Sequence, residues 1–467
     1  MINLKEIINA TKGMVVSTAK TTFSAISIDS RTIKDGELFI ALKGDNFDGH
    51  DFVNDALKTG DGAIVNHNFK IKKLDKNKTI ISVSDTLKAL QDLARYIRTG
   101  FDIPVIGVVG SNGKTTTKEF ISYILSTKLN VLKTLKNYNN HIGMPLSIVN
   151  YHSSPDVMVL EMGTNRPGDI KELCDIALPN IGIMTNIGYE HLAGFGSIEK
   201  VRDSEMEILD YVKTLVLNGD DEFLIAGVME WLNRTKKGLE IIRYGIDKKD
   251  LDIVAKEIEI SDKGSRFNLS IRDGLSILIE LKIPGFFNIY NAIAAASLAY
   301  VMGFDLMNIK KGLESFNGLD MRFEIRKYDG VTYLNDVYNA NPSSMKESIN
   351  ALVKILKNKR MNYKRAIVVL GDMLELGEFE KDEHIRLGKM LSDMPIDVFI
   401  GVGPLMSLAT KEFKKQALSV TTPEEAASEL LRIVKPYDIV LIKGSRGMRM
   451  ERVLDSLMRV RGYCYAL

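Results

Sequence analysis

Residues 104–128 read PVIGVVGSNGKTTTKEFISYILSTK. The apolar run PVIGVVG has the length and composition of a buried parallel strand, and beyond Lys114 the residues Phe120, Ile121, Ile124 and Leu125 recur at helical spacing. Strand, glycine turn and helix in that order open a nucleotide-binding α/β domain. Backbone N–H groups of such a turn, aimed by the helix N-terminus behind it, cradle phosphate oxygens. Gly110, Ser111, Asn112, Gly113, Lys114, Thr115 and Thr116 are the candidate cradle. Lys114 supplies a point charge for the terminal phosphates, and the Thr115 hydroxyl is placed to ligate Mg²⁺. The spacing departs from the general pattern G-x-x-x-x-G-K-[ST]: glycines fall at 107, 110 and 113, and Val108 stands where the first glycine would be.

Upstream, strand-like runs FIAL (39–42) and AIVN (63–66), broken by turns such as KGDNFDGHD (43–51), describe a small α/β module. Downstream, DVMVLEMG (156–163) and NIGIMTNIG (180–188) are further buried-strand candidates, and NIYNAIAAASLAYVMG (288–303) is an alanine-rich helix with Gly303 as its stop. Past SFNGLDMRFE (315–324) the pattern restarts, with AIVVLGD (366–372), DVFIGVG (397–403) and DIVLIKG (438–444) alternating with helical stretches in a second doubly wound sheet. The expected architecture is α/β in three domains: an N-terminal module over 1–100, a central P-loop domain with a mostly parallel sheet over 101–317, and a C-terminal Rossmann-like domain over 318–467. No internal repeat or low-complexity tract interrupts it.

A chain of 467 residues exceeds what one core organises, and an apolar content of 45% supplies several. A formal charge of +2 without blocks of like charge argues against a nucleic-acid partner. Two cysteines, Cys174 and Cys464, make no framework of bridges and fit a reducing compartment. The N-terminus MINLKEIINATKG lacks the apolar core of a signal peptide, and no run approaches the ~18 to 20 residues that span a bilayer. The expectation is a cytoplasmic, monomeric protein with no membrane insertion.

One chemical site follows from residue types alone. Glu161 ends an apolar strand at the same sheet edge as the glycine loop, where a carboxylate is costly to bury unless a cation accompanies it; Mg²⁺ is the natural companion.

The loop GxxGxNGKTT resembles that of the Mur ligases and their relative folylpolyglutamate synthase. The landmarks that follow keep the family's order: NYNNHIGMPL (137–146), EMGTNRPGDI (161–170), NIGYEHLAGFGS (186–197), NIYNAIAAA (288–296), DVYNANPSSM (336–345), VLGDMLELGE (369–378) and IKGSRGMRME (442–451). Ahead of the loop, DSRTIKDGELFIALKGDNFDGHDF (29–52) is similar to the family's UDP-substrate-binding N-terminal domain. YNANP, GDMLELG and KGSR together are most similar to the dipeptide-adding branch, and the DNPR-like segment of the branch that adds the third residue is absent.

The resemblance implies an ATP- and Mg²⁺-dependent ligase that joins D-alanyl-D-alanine to a UDP-N-acetylmuramoyl tripeptide through an acyl phosphate, in peptidoglycan precursor synthesis. It assigns catalysis to Lys114, Glu161, His191 and Arg322, with His191 near a second Mg²⁺. Where many relatives carry a lysine that takes up CO₂ as a carbamate facing that metal, this chain has Glu205. Asn288 and Asn291 match positions that hold adenine; Arg322 and Asp336 match residues that reach the ATP phosphate and ribose on closure about a hinge near 316–322. Asn339 and Asn341 are candidates for the dipeptide, Ser30 and Arg31 for the UDP-sugar, and Asn139 and Asn140 for its phosphates or the muramoyl region. Phe287 stands where relatives often have His, and Asn335 where a second Asp is common. These departures leave two alternatives: a folylpolyglutamate-type ligase, disfavoured by the N-terminal module and by YNANP, and a nucleotide-binding relative without ligase activity.

Overall fold

In the computed structural model, which describes residues 1–44, 46–70, 77–151, 153–248, 250–358 and 362–460, the strand Val105–Val109 lies inside a nine-stranded sheet. Its neighbours are Ile181–Met184 on one side and Val157–Glu161 on the other, both parallel to it. Residues of Val105–Val109 and Val157–Glu161 are buried without alternation, as a sheet covered on both faces requires. The parallel part continues outward through Val131–Lys133 on one edge and through Thr214–Asn218, Glu240–Gly245 and Ile253–Ser261 on the other. Two antiparallel strands, Gly264–Ile271 and Ser276–Leu281, extend that second edge. This meander is not legible in the sequence, because its strands alternate buried and exposed positions only irregularly.

The helix after the loop runs Lys114–Leu125 and is buried almost throughout. It packs against Phe286–Val301, whose alanines at 292, 294, 295, 296 and 299 let the two helices approach, and against Leu306–Ser315. At Gly312 an added Cβ would meet the Ile124 Cα at 2.4 Å, so this crossing needs a residue without a side chain. Phe316 closes the packing, its ring 4.7 Å from Phe120 and 5.3 Å from Tyr123. Burying a Phe side chain is worth about 1.5–3 kcal/mol, enough to fix this end of the linker to the central domain.

The N-terminal residues form a five-stranded sheet, with Glu37–Ile40 and Gly62–Asn66 at its centre, and a two-stranded ribbon. This module shares a core with the central domain. Its helix Thr86–Thr99 packs on Gly143–Val149 and Asp169–Ala177, and Leu90, Leu93 and Ala94 belong to one buried cluster with Val105, Ile148 and Leu173. Asn150 stitches the seam, accepting from the Ile26 N–H at 2.8 Å and donating to the Ile26 carbonyl at 2.9 Å.

Residues beyond 323 form a six-stranded sheet, with Arg365–Gly371, Val398–Val402 and Asp438–Lys443 parallel at its centre. The hairpin Glu324–Tyr328 and Val331–Asp336 forms one edge and Gln416–Val420 the other. Between the central domain and this sheet the backbone takes left-handed values at Gly318 (φ 96°), Met321 (φ 62°) and Phe323 (φ 53°), an accumulation of strain where a side chain is normally disfavoured. Cys174 is buried beside Met162, while Cys464 falls outside the described residues. Among the described residues, no helix is long and apolar enough to cross a membrane.

Candidate active site

A cleft of 620 Å³ lies where the C-terminal ends of the central parallel strands face the C-terminal domain, the usual place for a ligand in an open α/β sheet. Its wall contains Ser111, Asn112, Gly113, Lys114, Thr115 and Thr116 from the loop, with Asn139, Asn140, Glu161 and His191 from neighbouring strand ends. Asn288 and Asn291 come from the alanine-rich helix, and Arg322, Asp336, Asn339 and Asn341 from across the domain boundary. Gly110, Glu205, Ser30 and Arg31 do not line it.

The loop's shape is set by two glycines. Gly110 has φ +120° and an added Cβ would fall 2.3 Å from the Thr185 hydroxyl; Gly113 has φ +84° and its Cβ would meet the Asn291 carboxamide at 2.2 Å. Helix Lys114–Leu125 starts there, leaving the first N–H groups without partners inside the helix. Lys114 folds back on the loop, donating to the carbonyls of Gly110 and Ser111, and stands 3.7 Å from Glu190. Burial acts to lower the Lys114 ammonium, but the carboxylates of Glu190, Glu205 and Glu161 outweigh it and hold it above its ordinary value. The lysine stays charged, as phosphate binding needs.

Thr115 joins three parts of the site. Its hydroxyl donates to Glu161 Oε1 at 3.0 Å and accepts from the Arg322 guanidinium at 3.1 Å. Asn139 also donates to Glu161 Oε1 at 3.0 Å, while Glu161 Oε2 is buried without a hydrogen-bond partner, 3.4 Å from the Lys118 ammonium. Lys118 is wholly buried, donating to the carbonyls of Thr134 and Lys136, and so fixes the carboxylate from behind. The helical face of apolar residues in the sequence gave no sign of it.

His191 stands at the head of a short helix in the left-handed region (φ 47°), and its Nδ1 is 2.6 Å from Glu375 Oε2 of the C-terminal domain. Burial lowers its pKa and the Glu375 carboxylate opposes that shift. Glu205 departs from the expected placement beside this histidine. It is fully buried one layer below the loop, where its Oε2 accepts from the Gly110 N–H at 2.8 Å. The carboxyl group that reaches the cleft from this side is Glu190, for which the sequence carries no signal of its own. Burial pushes the Glu190 carboxyl up to about 8, with Lys114 pulling it down and Glu205 adding to the rise. Burial also raises Glu205.

Several asparagines have structural work that sequence did not show. Asn288 donates to the Pro284 carbonyl at 2.7 Å, a bond at the helix start, and Asn291 accepts from the Thr117 hydroxyl at 3.3 Å. Asn140 Oδ1 accepts from the Gly143 N–H at 2.8 Å in the turn ahead of Gly143–Val149, and Asn341 caps Pro342–Leu356 through the Ser344 N–H at 2.8 Å. Asn339 Oδ1 accepts from the Arg446 N–H at 3.4 Å. Asp336 accepts from the Phe323 N–H at 3.1 Å, the Ser348 hydroxyl at 2.6 Å and the buried Lys443 ammonium at 2.6 Å. It thereby holds the strained turn that presents Arg322, whose guanidinium stacks 3.8 Å above the Tyr338 ring. Phe287 lines the cleft and meets Phe323 edge-on at 5.3 Å, whereas Asn335 donates to Glu324 at 2.9 Å and is absent from the wall. In the N-terminal module Arg31 is exposed and paired with Asp29 at 2.7 Å, which draws that carboxyl down to about 2.

Three family descriptions match the chain in succession: the Mur ligase family catalytic domain over residues 22–98, the Mur ligase middle domain over 108–299 and the Mur ligase glutamate ligase domain over 321–446. The UDP-N-acetylmuramoyl-tripeptide--D-alanyl-D-alanine ligase of Bacillus subtilis is 34% identical over 466 residues, covering 97% of this chain and 98% of that protein. The crystal structure of MurF from Acinetobacter baumannii superposes with a TM-score of 0.87 at 30% identity, over 98% of each chain. MurF ligase from Thermotoga maritima, solved in complex with ADP, gives 0.79 at 32% identity over 93% of this chain and 97% of that one. With a relative above 30% identity along nearly its whole length and the family's three parts in order, the chain belongs to the Mur ligase family.

Proposed function

We propose that this chain is an ATP-dependent, ADP-forming amide ligase that joins D-alanyl-D-alanine to a UDP-N-acetylmuramoyl tripeptide in the cytoplasm, as a monomer. The observation that carries the reading is the two-sided cleft: a phosphate loop on one wall and Arg322, Asp336 and Lys443 on the other, in a chain whose full-length relatives bear the name of that ligase.

The chemistry needs two displacements. A carboxylate oxygen of the tripeptide attacks the terminal phosphorus of ATP and ADP leaves; the dipeptide nitrogen then attacks the acyl carbon, loses a proton and expels phosphate. Catalysis of such transfers is mostly positioning and charge stabilisation. Helix N-terminal N–H groups at 114–116 face the phosphates, and Lys114 exchanges its loop carbonyls for phosphate oxygens. Arg322 brings a second positive charge to the same point once the domains meet. The carboxyl groups of Glu190, Glu205 and Glu161 around Lys114 favour its ammonium form.

The residues present suit Mg²⁺: the Thr115 hydroxyl and Glu161 Oε1 meet at 3.0 Å in the cleft wall beside the phosphate loop. Among the described residues no group of three acidic, His or Cys side chains is placed to hold a metal by itself, so the ion would complete its shell with nucleotide oxygens and water, and the His191 ring would serve a second ion. An ion held there would supply neutralisation of charge on the nucleotide phosphates.

The test is phosphate release against a panel of UDP-muramoyl peptides, ending in L-lysine or meso-diaminopimelate, each with and without D-alanyl-D-alanine. Release that needs both partners, with an amide product one dipeptide heavier, is expected. Release indifferent to the dipeptide would overturn the assignment.

A further inference from the structure

Within the loop, Asn112 behaves unlike its neighbours. Its N–H donates to the Asn186 side chain at 3.0 Å, and its carbonyl accepts from the Thr185 hydroxyl at 2.7 Å and the Asn186 carboxamide at 3.1 Å. Both backbone groups that could meet a phosphate or a base are therefore engaged by the adjoining strand end. The side chain reaches in the other direction. Asn112 Nδ2 donates to the Ser343 hydroxyl at 3.0 Å, and Asn112 Oδ1 accepts from Asn341 Nδ2 at 3.0 Å. Asn341 is the N-terminal cap of helix Pro342–Leu356 in the C-terminal domain, Ser343 lies in its first turn, and the Ser343 hydroxyl also donates to Asn341 Oδ1 at 2.9 Å. Room for this junction is made by Gly188, where an added Cβ would lie 2.6 Å from the Ser343 hydroxyl and 3.3 Å from Asn112 Nδ2.

We infer that Asn112 is a positioning residue whose carboxamide clasps the C-terminal domain to the phosphate loop, so that the loop's ordered, nucleotide-holding form is the form on which the domain closes. A carboxamide suits the task because it offers a donor and an acceptor together, and both are used here against a complementary amide and hydroxyl. No net charge is desolvated, so the clasp can open after each turnover; a buried ion pair at the same place would be costly to separate. The second domain contact of the loop, Arg322 on Thr115, lies three residues further along and closes with it. This inference rests on a nucleotide binding at the loop and not on which amine is joined.

The test is a double-mutant cycle in the full chain, comparing wild type, Asn112→Ala, Ser343→Ala and the double variant. Magnesium–ADP affinity is measured by calorimetry, and KM for D-alanyl-D-alanine and kcat by phosphate release. Loss of two hydrogen bonds predicts a KM rise of about tenfold in Asn112→Ala and loss of one about threefold in Ser343→Ala, with ADP affinity within about threefold throughout. The double variant should be no worse than Asn112→Ala by more than about twofold, since the hydroxyl then has no partner to lose. A tenfold fall in ADP affinity in Asn112→Ala with Ser343→Ala like wild type would make Asn112 a phosphate ligand and overturn the inference; so would losses that multiply. If Asn112→Ala fails to fold, an unchanged KM in Ser343→Ala overturns it alone. A wild type that does not bind ADP removes the nucleotide reading and the inference with it, whereas ADP binding without ligation counts against the substrate assignment only.

Discussion

Replacing Glu205 separates two roles that one carboxylate could have. The side chain is fully buried, one oxygen accepts from the Gly110 N–H at 2.8 Å and the other has no hydrogen-bond partner. In Glu205→Ala the buried Gly110 N–H loses its acceptor, at a cost of about 1–3 kcal/mol. Taking about 2 kcal/mol, and 1.4 kcal/mol per factor of ten, the ordered loop becomes about 30-fold less favoured. Nucleotide binding must then restore that order, so magnesium–ADP affinity should fall by up to that factor. Glu205→Gln keeps an acceptor for Gly110, offers an N–H₂ group toward Glu190 and removes one of two crowded carboxyls. Its ADP affinity should stay within about threefold of wild type and its melting temperature should not fall. Calorimetry with ADP and initial rates against Mg²⁺ concentration measure both. A Gln variant as impaired as Ala, with a Mg²⁺ requirement raised about tenfold or more, would refute the anchor and return Glu205 to the metal, that being the scale for losing a tuned contact to an ion.

Wild-type turnover should be the same in CO₂-depleted and bicarbonate-supplemented buffer, because no lysine stands at position 205; stimulation by bicarbonate would contradict this. Lys114→Ala should abolish phosphate release at an unchanged melting temperature, since the glycines and Glu205 shape the loop without that side chain; substantial turnover would remove Lys114 from the reaction. Arg322→Lys should lower kcat about 10- to 100-fold through loss of the contact with Thr115 and the stack on Tyr338, the range for a hydrogen bond to a charged group. Acid should loosen the segment carrying Glu375. His384 is buried, accepts from the Met373 N–H at 3.0 Å and is held below its ordinary pKa by burial, so its stabilisation is complete above about 6.5 and is lost as pH falls from there toward the folded value. Hydrogen exchange at Met373, corrected for its intrinsic rate, should show less protection at pH 5.5 than at 7.5. Unchanged protection would refute the link.

What was legible in the sequence is what a short run of residues determines by itself. The strand and helix around SNGK were readable because burial leaves no polar position in Val105–Val109 and helical spacing marks the face of Lys114–Leu125. Glu161 was readable because a carboxylate at the end of such a strand needs an explanation wherever it occurs. The same reasoning could not find Glu190, whose meaning depends on Lys114 lying 76 positions earlier, nor Lys118, whose buried ammonium is satisfied by carbonyls at 134 and 136. Glu205 shows the limit most clearly. Counting from GFGS gives its place along the helix, but not the layer in which its carboxylate ends. That layer is fixed by Gly110, whose N–H donates to Glu205 in a loop where φ of +120° and the nearby Thr185 hydroxyl leave room only for glycine. Assignments by position therefore carry over which residues meet. The geometry of Asn112, with its backbone facing one domain and its carboxamide the other, determines what they do on meeting.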